Sequence, residues 1–132
     1  MKYLLDTNIC IYLIKQNPPN VVKKFSQHDI TEIGISTITI AELEFGVFKS
    51  KYQNQNKEAL EKFLLFFDVI PFDKISAQVY GYLRCELEKR GTPIGAMDML
   101  IAAQALDKGL VVVTNNSKEF SKVPNLKIEN WI

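Results

Sequence analysis

The sequence predicts an α/β fold, a mostly parallel sheet of four or five strands with helices on both faces. Three observations carry that prediction. Short apolar segments alternate with longer segments of helical periodicity along the whole chain, without repeats or low-complexity tracts. Residues 110–113, Leu-Val-Val-Val, are continuously apolar and mostly β-branched, as a strand buried on both faces should be. Four carboxylates, Asp6, Glu42, Asp98 and Glu119, each stand where an apolar run gives way to a helix start. An open α/β sheet collects such positions along one edge.

In chain order, residues 2–5 read as a short buried strand and 8–15 as a helix. Asn17-Pro18-Pro19-Asn20 ends that helix and opens another through Phe25. Residues 33–36 make a second strand, 39–50 a helix, and 51–56 a polar loop leading to a helix that ends near Phe67. Residues 69–72 form a third strand. A long amphipathic helix follows from Asp73 to about Arg90, and Gly91-Thr92-Pro93-Ile94-Gly95 separates it from a helix over 96–108. Strand 110–113 comes next, and 127–129 adds an edge strand.

Composition bounds the function classes. A chain of 132 residues with 47% hydrophobic content fits one domain spanning 1–132. A net charge of +1 provides no global field for a polyanion or a membrane, so any nucleic-acid site has to be local. Cys10 and Cys85 lack disulfide-framework or metal-ligand spacing, which points to a reducing compartment. The opening YLLDTNICIYLI is broken by Asp6 and Asn8 and is too short to span a bilayer. A soluble cytoplasmic protein without membrane contact is expected. The single histidine, His28, lies in a polar stretch and reads as an exposed loop residue. No GxxxxGK[ST], GxGxxG or GxSxG motif is present, which removes the common nucleotide-binding and serine-hydrolase readings.

Each acid has an ordinary explanation. Thr39-Ile40-Ala41-Glu42 has the form of a capping box, as does Asn116-Ser117-Lys118-Glu119 with asparagine as the cap. Asp6 fits as a helix cap, and Asp98 fits a first turn, where the helix dipole favours a carboxylate. Capping accounts for each acid alone. It does not require several like charges to crowd at one rim. Mg²⁺ or Mn²⁺ does, because these ions take a few hard carboxylate oxygens and keep positions open for water and substrate phosphate. Such ions activate water and stabilise the leaving oxygen of a phosphodiester, so a histidine base is unnecessary.

Four motifs in order, LLDTN (4–8), ISTITIAELEFG (35–46), GTPIGAMDMLIAAQA (91–105) and VVTNNSKEF (112–120), resemble the PIN-domain ribonucleases of the VapC toxin type. The resemblance extends from Lys2 to the closing LKIENWI. It implies a three-layer α/β/α fold in which Asp6, Glu42 and Asp98 surround Mg²⁺ or Mn²⁺, with Asp6 and Asp98 the principal ligands. Asn116 stands where many PIN domains carry an aspartate, so Glu119 has to reach from a turn further on to complete the acidic ring. Asn8, Ser36, Thr114 and Asn116 lie close enough in sequence to orient ligands or waters, although ordinary turn hydrogen bonds explain them equally well.

The same resemblance implies hydrolysis of RNA to 5′-phosphate and 3′-hydroxyl ends. Members with similar motifs cleave structured RNA such as initiator tRNA, which makes a tRNA the expected substrate. Basic and aromatic residues near the rim are the candidates for gripping RNA: Lys49, Lys51, Tyr80, Arg84 and Arg90. Their ordinary readings are solvated helix ends and, for Tyr80, core. Phe45, Val47, Phe48, Phe63, Leu64, Phe66 and Phe67 load two neighbouring helices with more apolar surface than one sheet face needs, although core burial accounts for most of them. For any excess the resemblance implies a homodimer interface and a groove for a cognate VapB antitoxin. Two alternatives stand beside this reading. One is a Mg²⁺-binding receiver-type signalling domain with Asp73 as phosphoacceptor, and the other is a non-catalytic PIN domain that only binds RNA or protein. A phosphatase of the haloacid-dehalogenase type would need DxD where DTN stands.

Overall fold

A computed structural model describes residues 1–132 of the protein. Its strands are β1 (Tyr3–Leu5), β2 (Ile33–Ser36), β3 (Asp68–Ile70), β4 (Val111–Val113) and β5 (Ile128–Glu129). They form one wholly parallel sheet in the order β3-β2-β1-β4-β5. The helices are α1 (Thr7–Lys15), α2 (Pro19–Ser26), α3 (Thr37–Lys49), α4 (Gln53–Leu64), α5 (Lys74–Lys89), α6 (Ala96–Lys108) and the short α7 (Ser117–Phe120).

Strand alternation sorts the apolar runs into two cores. Tyr3, Leu5, Ile33, Ile35 and Val113 enter one core, with Ile9 of α1, Leu43 of α3 and Leu60 of α4. Leu4 and Val112 enter the other, with Leu87 of α5, Ile101 of α6 and Phe120 of α7. Because β1 is covered on both faces, Leu4 and Leu5 are both fully buried, which is why the run carries no polar residue until Asp6. This is the expected three-layer arrangement, with β1 at its centre.

β1 pairs with β2 and β4 in register, Tyr3 beside Ile33 and Val111, and Leu4 beside Gly34 and Val112. Parallel strands in register finish at one edge. The residues that follow them, Asp6 and Thr114, and Ser36 at the end of β2, therefore become neighbours although they are far apart in the chain. The ladder continues to the site itself: the Asp6 N–H donates to the Val113 carbonyl at 2.9 Å.

Several local expectations shift for identifiable reasons. Helix α3 begins at Thr37 rather than Thr39, because Ser36 caps it by accepting the Ile38 N–H at 3.0 Å. Helix α4 begins at Gln53, inside the stretch expected to be a loop. Strand β3 covers 68–70 rather than 69–72. Pro71 has no N–H to extend the ladder, the Ile70 and Pro71 carbonyls accept from the Gln104 amide, and the Phe72 N–H donates to Thr37 Oγ1. His28 lies in a loop, as expected, but is half-buried rather than exposed. Its ring stacks on Trp131 with centroids 4.8 Å apart and meets Tyr3 edge-on, so the end of the chain closes over the start of β1.

The apolar surplus on α3 and α4 divides. Val47 and Phe67 are buried and Phe63 and Leu64 pack partly against the core, while Phe45, Phe48 and Phe66 remain more than 60% exposed. No helix is long and apolar enough to cross a membrane.

Candidate active site

Asp6 closes β1 and caps α1. It is 4% exposed, and both carboxylate oxygens are occupied: the Thr7 N–H donates to Oδ1 at 2.7 Å and the Thr114 hydroxyl to Oδ2 at 2.8 Å. Burial lifts its pKa, and the two hydrogen bonds work against that rise. Thr114 also accepts the Asn116 N–H at 2.8 Å, which fixes the turn after β4 to the end of β1.

The capping-box readings fail for two of the acids. Glu42 lies in the second turn of α3, beyond the free N–H groups of the helix start, and instead accepts the Thr7 hydroxyl at 2.7 Å. Glu119 lies in the first turn of α7 but does not return to Asn116. Its Oε1 accepts the Gly95 N–H at 3.0 Å and its Oε2 pairs with Lys122 at 3.4 Å. Gly95 is the cap of α6, and Asp98 stands in that helix's first turn. The Asn116 amide donates to Asp98 Oδ2 at 3.4 Å.

Electrostatics show that the four acids share one place. The Asp98 carboxyl is pushed up to about 6, first by burial and then by the charges of Asp6, Glu42 and Glu119. No set of three His, Cys, Asp or Glu side chains forms a ready-made metal cage. The donor set still fits a hard dication that retains water: it is all carboxylate oxygen, partly desolvated and in mutual repulsion. Cys10, buried behind Asp6, is a poor rival as nucleophile, because burial and the Asp6 charge push its thiol far up.

Around the acids, Asn8 donates to Asn115 Oδ1 at 3.4 Å, and Asn115 donates to the Tyr12 hydroxyl at 2.9 Å. The sequence reading missed Thr7, Tyr12, Gly95, Asn115 and Lys122. Thr7, Gly95 and Asn115 lie inside three of the quoted motifs, where their position was the available signal. Nothing local marked Tyr12 or Lys122.

The five basic and aromatic candidates make no hydrogen bond or ion pair to the acids. The ammonium groups of Lys49 and Lys51 lie over the Phe45 and Tyr52 rings, at 5.8 and 5.6 Å from the centroids. Arg84 donates to the Tyr80 hydroxyl at 3.0 Å and to Glu88 at 3.2 Å, forming one row along α5. Arg90 is exposed at the end of that helix.

The sheet order weighs against the receiver alternative. A receiver-type sheet runs 2-1-3-4-5 and keeps its third strand inside. Here β3 is an edge strand, and Asp73 is occupied as the cap of α5, accepting the Ser76 N–H at 3.0 Å and pairing with Lys108 at 2.7 Å. The Lys108 hydrogen bond, with the Ser76 N–H, holds Asp73 down at about 2.

Comparison with known proteins agrees with this fold. The PIN domain family matches residues 3–126. Ribonuclease VapC2 of Rickettsia felis is 44% identical over 134 residues, covering 99% of this chain and 98% of that protein. The tRNA(fMet)-specific endonuclease VapC of Shigella flexneri is 39% identical, with 99% and 98% covered. Among solved structures, the DNA-bound VapBC complex of Salmonella typhimurium contains a chain that superposes with a TM-score of 0.94 at 39% identity, covering 100% of this chain and 99% of that one. VapBC2 of Rickettsia felis bound to a promoter DNA fragment gives 0.91 at 43%, with both chains covered in full. On matches of this length and identity, joined to a parallel sheet whose edge gathers Asp6, Glu42, Asp98 and Glu119, the chain belongs to the PIN-domain family and, within it, to the VapC group.

Proposed function

We propose that the protein is a Mg²⁺- or Mn²⁺-dependent endoribonuclease, the toxin of a VapBC-type pair, that cuts a tRNA. The observation that carries this reading is the convergence of the four acids at one sheet edge, where burial first and then the charges of Asp6, Glu42 and Glu119 raise the Asp98 carboxyl, because folding gains nothing from such crowding unless a cation relieves it. Asp6, Asp98 and Glu42 would hold the ion, which when bound supplies an activated water and charge stabilisation at the scissile phosphate. Glu119 completes the acidic ring.

The protein's own residues prepare that site. Thr7 and Thr114 hydrogen-bond both carboxylate oxygens of Asp6 and oppose the rise in its pKa that burial brings. The Asn116 amide steadies Asp98 at the mouth of the turn after β4. Hydrolysis adds water at phosphorus and breaks the P–O3′ bond, which leaves a 5′-phosphate and a 3′-hydroxyl. A tRNA substrate, with initiator tRNA first among candidates, is favoured by likeness to relatives from Shigella flexneri and Salmonella typhimurium that are named as tRNA(fMet)-specific endonucleases. Lys49, Lys51, Tyr80, Arg84 and Arg90 are the residues to test for RNA contact. A cytoplasmic location follows from such a substrate.

The antitoxin has a surface to occupy. A cavity of about 260 Å³ between α1, α3 and α4 is lined by Ile11, Ile14, Leu43, Val47 and Leu60 and includes Glu42, so an apolar segment lying in it reaches the acids. The exposed Phe45, Phe48 and Phe66 provide apolar area for that partner and for a homodimer.

The decisive experiment is Mg²⁺-dependent cleavage of labelled tRNA by wild type, Asp98→Asn and Glu42→Gln. Amides of the same shape would preserve a capping role, so loss of most cleavage in both variants, with folding intact in EDTA, supports the metal site. Full activity in Asp98→Asn would overturn it.

A further inference from the structure

Thr7 hydrogen-bonds the carboxylates of two of the acids. Its N–H donates to Asp6 Oδ1 and its hydroxyl to Glu42 Oε1, both at 2.7 Å, across 35 positions of chain in the second case. Neither helix needs that hydroxyl for its own stability. Asp6 already caps α1, and Ser36 caps α3. Glu42 has no ion pair and no other hydrogen bond, in contrast to Glu44 two residues later, which pairs with Lys57. A long, half-buried glutamate with a single partner takes its orientation from that partner, and the contact leaves Oε2 without a protein donor.

From this arrangement we infer that Thr7 is a positioning residue for the metal site: its hydroxyl fixes Glu42 beside Asp6, so that the two carboxylates face a cation already oriented. The inference rests on the metal-site reading given above. A hydroxyl suits the task because it donates to a carboxylate without bringing a positive charge that would compete with the cation. Hydrogen bonds of this kind to metal-binding side chains typically govern affinity by about tenfold to hundredfold.

The test is Mn²⁺ binding to the full chain, measured by isothermal titration calorimetry without RNA, for wild type, Thr7→Val, Thr7→Ser and Asp98→Asn. Valine keeps the shape and removes the donor, while serine keeps the donor. Thr7→Val should bind Mn²⁺ about tenfold to hundredfold more weakly, and its cleavage deficit should shrink as Mn²⁺ is raised. Thr7→Ser should restore the affinity. In a Glu42→Gln background, Thr7→Val should cost little more, because the hydroxyl acts through Glu42.

Wild-type affinity in Thr7→Val alongside loss of binding in Asp98→Asn would overturn the role of Thr7 alone. Wild-type affinity in Asp98→Asn would overturn the metal site itself. If Thr7→Val does not fold, a loss of affinity in Thr7→Ser as large as that of Glu42→Gln would count against the inference, since the hydroxyl would still be present. Affinity retained in Thr7→Ser but lost in Thr7→Ala would support it.

Discussion

The Thr114 hydroxyl donates to Asp6 Oδ2 at 2.8 Å across 108 positions of chain, and this bond ties the end of β4 to the end of β1 at the point where the acids meet. It opposes the effect of burial on Asp6. Thr114→Val should therefore raise the Asp6 pKa further and move the acid limb of the cleavage pH profile to higher pH. Thr114→Ser, which keeps the donor, should leave that limb in place. A pH profile of tRNA cleavage for both variants checks this.

Asp98 makes the metal-free protein sensitive to pH. Its carboxyl rises from 3.8 to about 6 on folding, so the folded state binds the extra proton between those values. The contribution of Asp98 to stability is then fully present below the unfolded value and is lost as pH rises through about 6. Asp98→Asn should melt higher than wild type in EDTA at pH 7.5, by on the order of 1 kcal/mol once solvent screening of a half-exposed group is allowed for, and should match it near pH 4. Added Mg²⁺ should stabilise wild type at pH 7.5 and have little effect on the variant. Melting curves at the two pH values, with and without Mg²⁺, decide it.

Glu119 acts on Asp98 in two ways, through its charge and through the Gly95 N–H that it holds at 3.0 Å. The two are separable. Glu119→Gln keeps an acceptor for Gly95 but removes the charge, so the Asp98 pKa should fall and the acid limb of activity should move to lower pH. Glu119→Ala loses both, and its rate should drop below that of Glu119→Gln because the cap of α6 is freed. Parallel pH–rate profiles distinguish the variants.

Gly34 has little room for a side chain. A Cβ there would lie 2.5 Å from Met1 Sδ and 2.7 Å from Ile70 Cδ1. Met1 can swing away, but Ile70 is held near the β2–β3 pairing. Gly34→Ala should cost about 1–3 kcal/mol in urea unfolding, with activity at low temperature preserved. An unchanged midpoint would show that both neighbours yield freely.

Trp131 closes the aromatic group formed with His28 and Tyr3, and it is 2% exposed. Trp131→Ala should destabilise by about 3–5 kcal/mol, as loss of a large buried ring does. Equilibrium denaturation followed by circular dichroism measures it. His28→Ala should cost less, because that ring is only half-buried.

By itself the sequence determined the alternation of elements, the all-apolar strands and the identities of the acids, because these depend on periodicity and on the chemistry of residues a few positions apart. Leu4, Leu5, Val112 and Val113 announce strands covered on both sides, and Asp6 marks where the first of them ends. What each acid does was decided only by tertiary structure. Thr39 to Glu42 reads locally as a capping box, yet Ser36 caps α3 and Glu42 turns to Thr7, a neighbour only because β1 and β2 lie side by side. His28 looks like an exposed residue until Trp131 arrives from the far end of the chain to stack on it. The exposure of Phe45 and Phe48 beside buried Val47 is likewise set by which helix face meets the sheet. Local propensity acts over one or two turns, whereas the partner of a side chain is chosen by strand order and register, and here those bring together residues up to 108 positions apart.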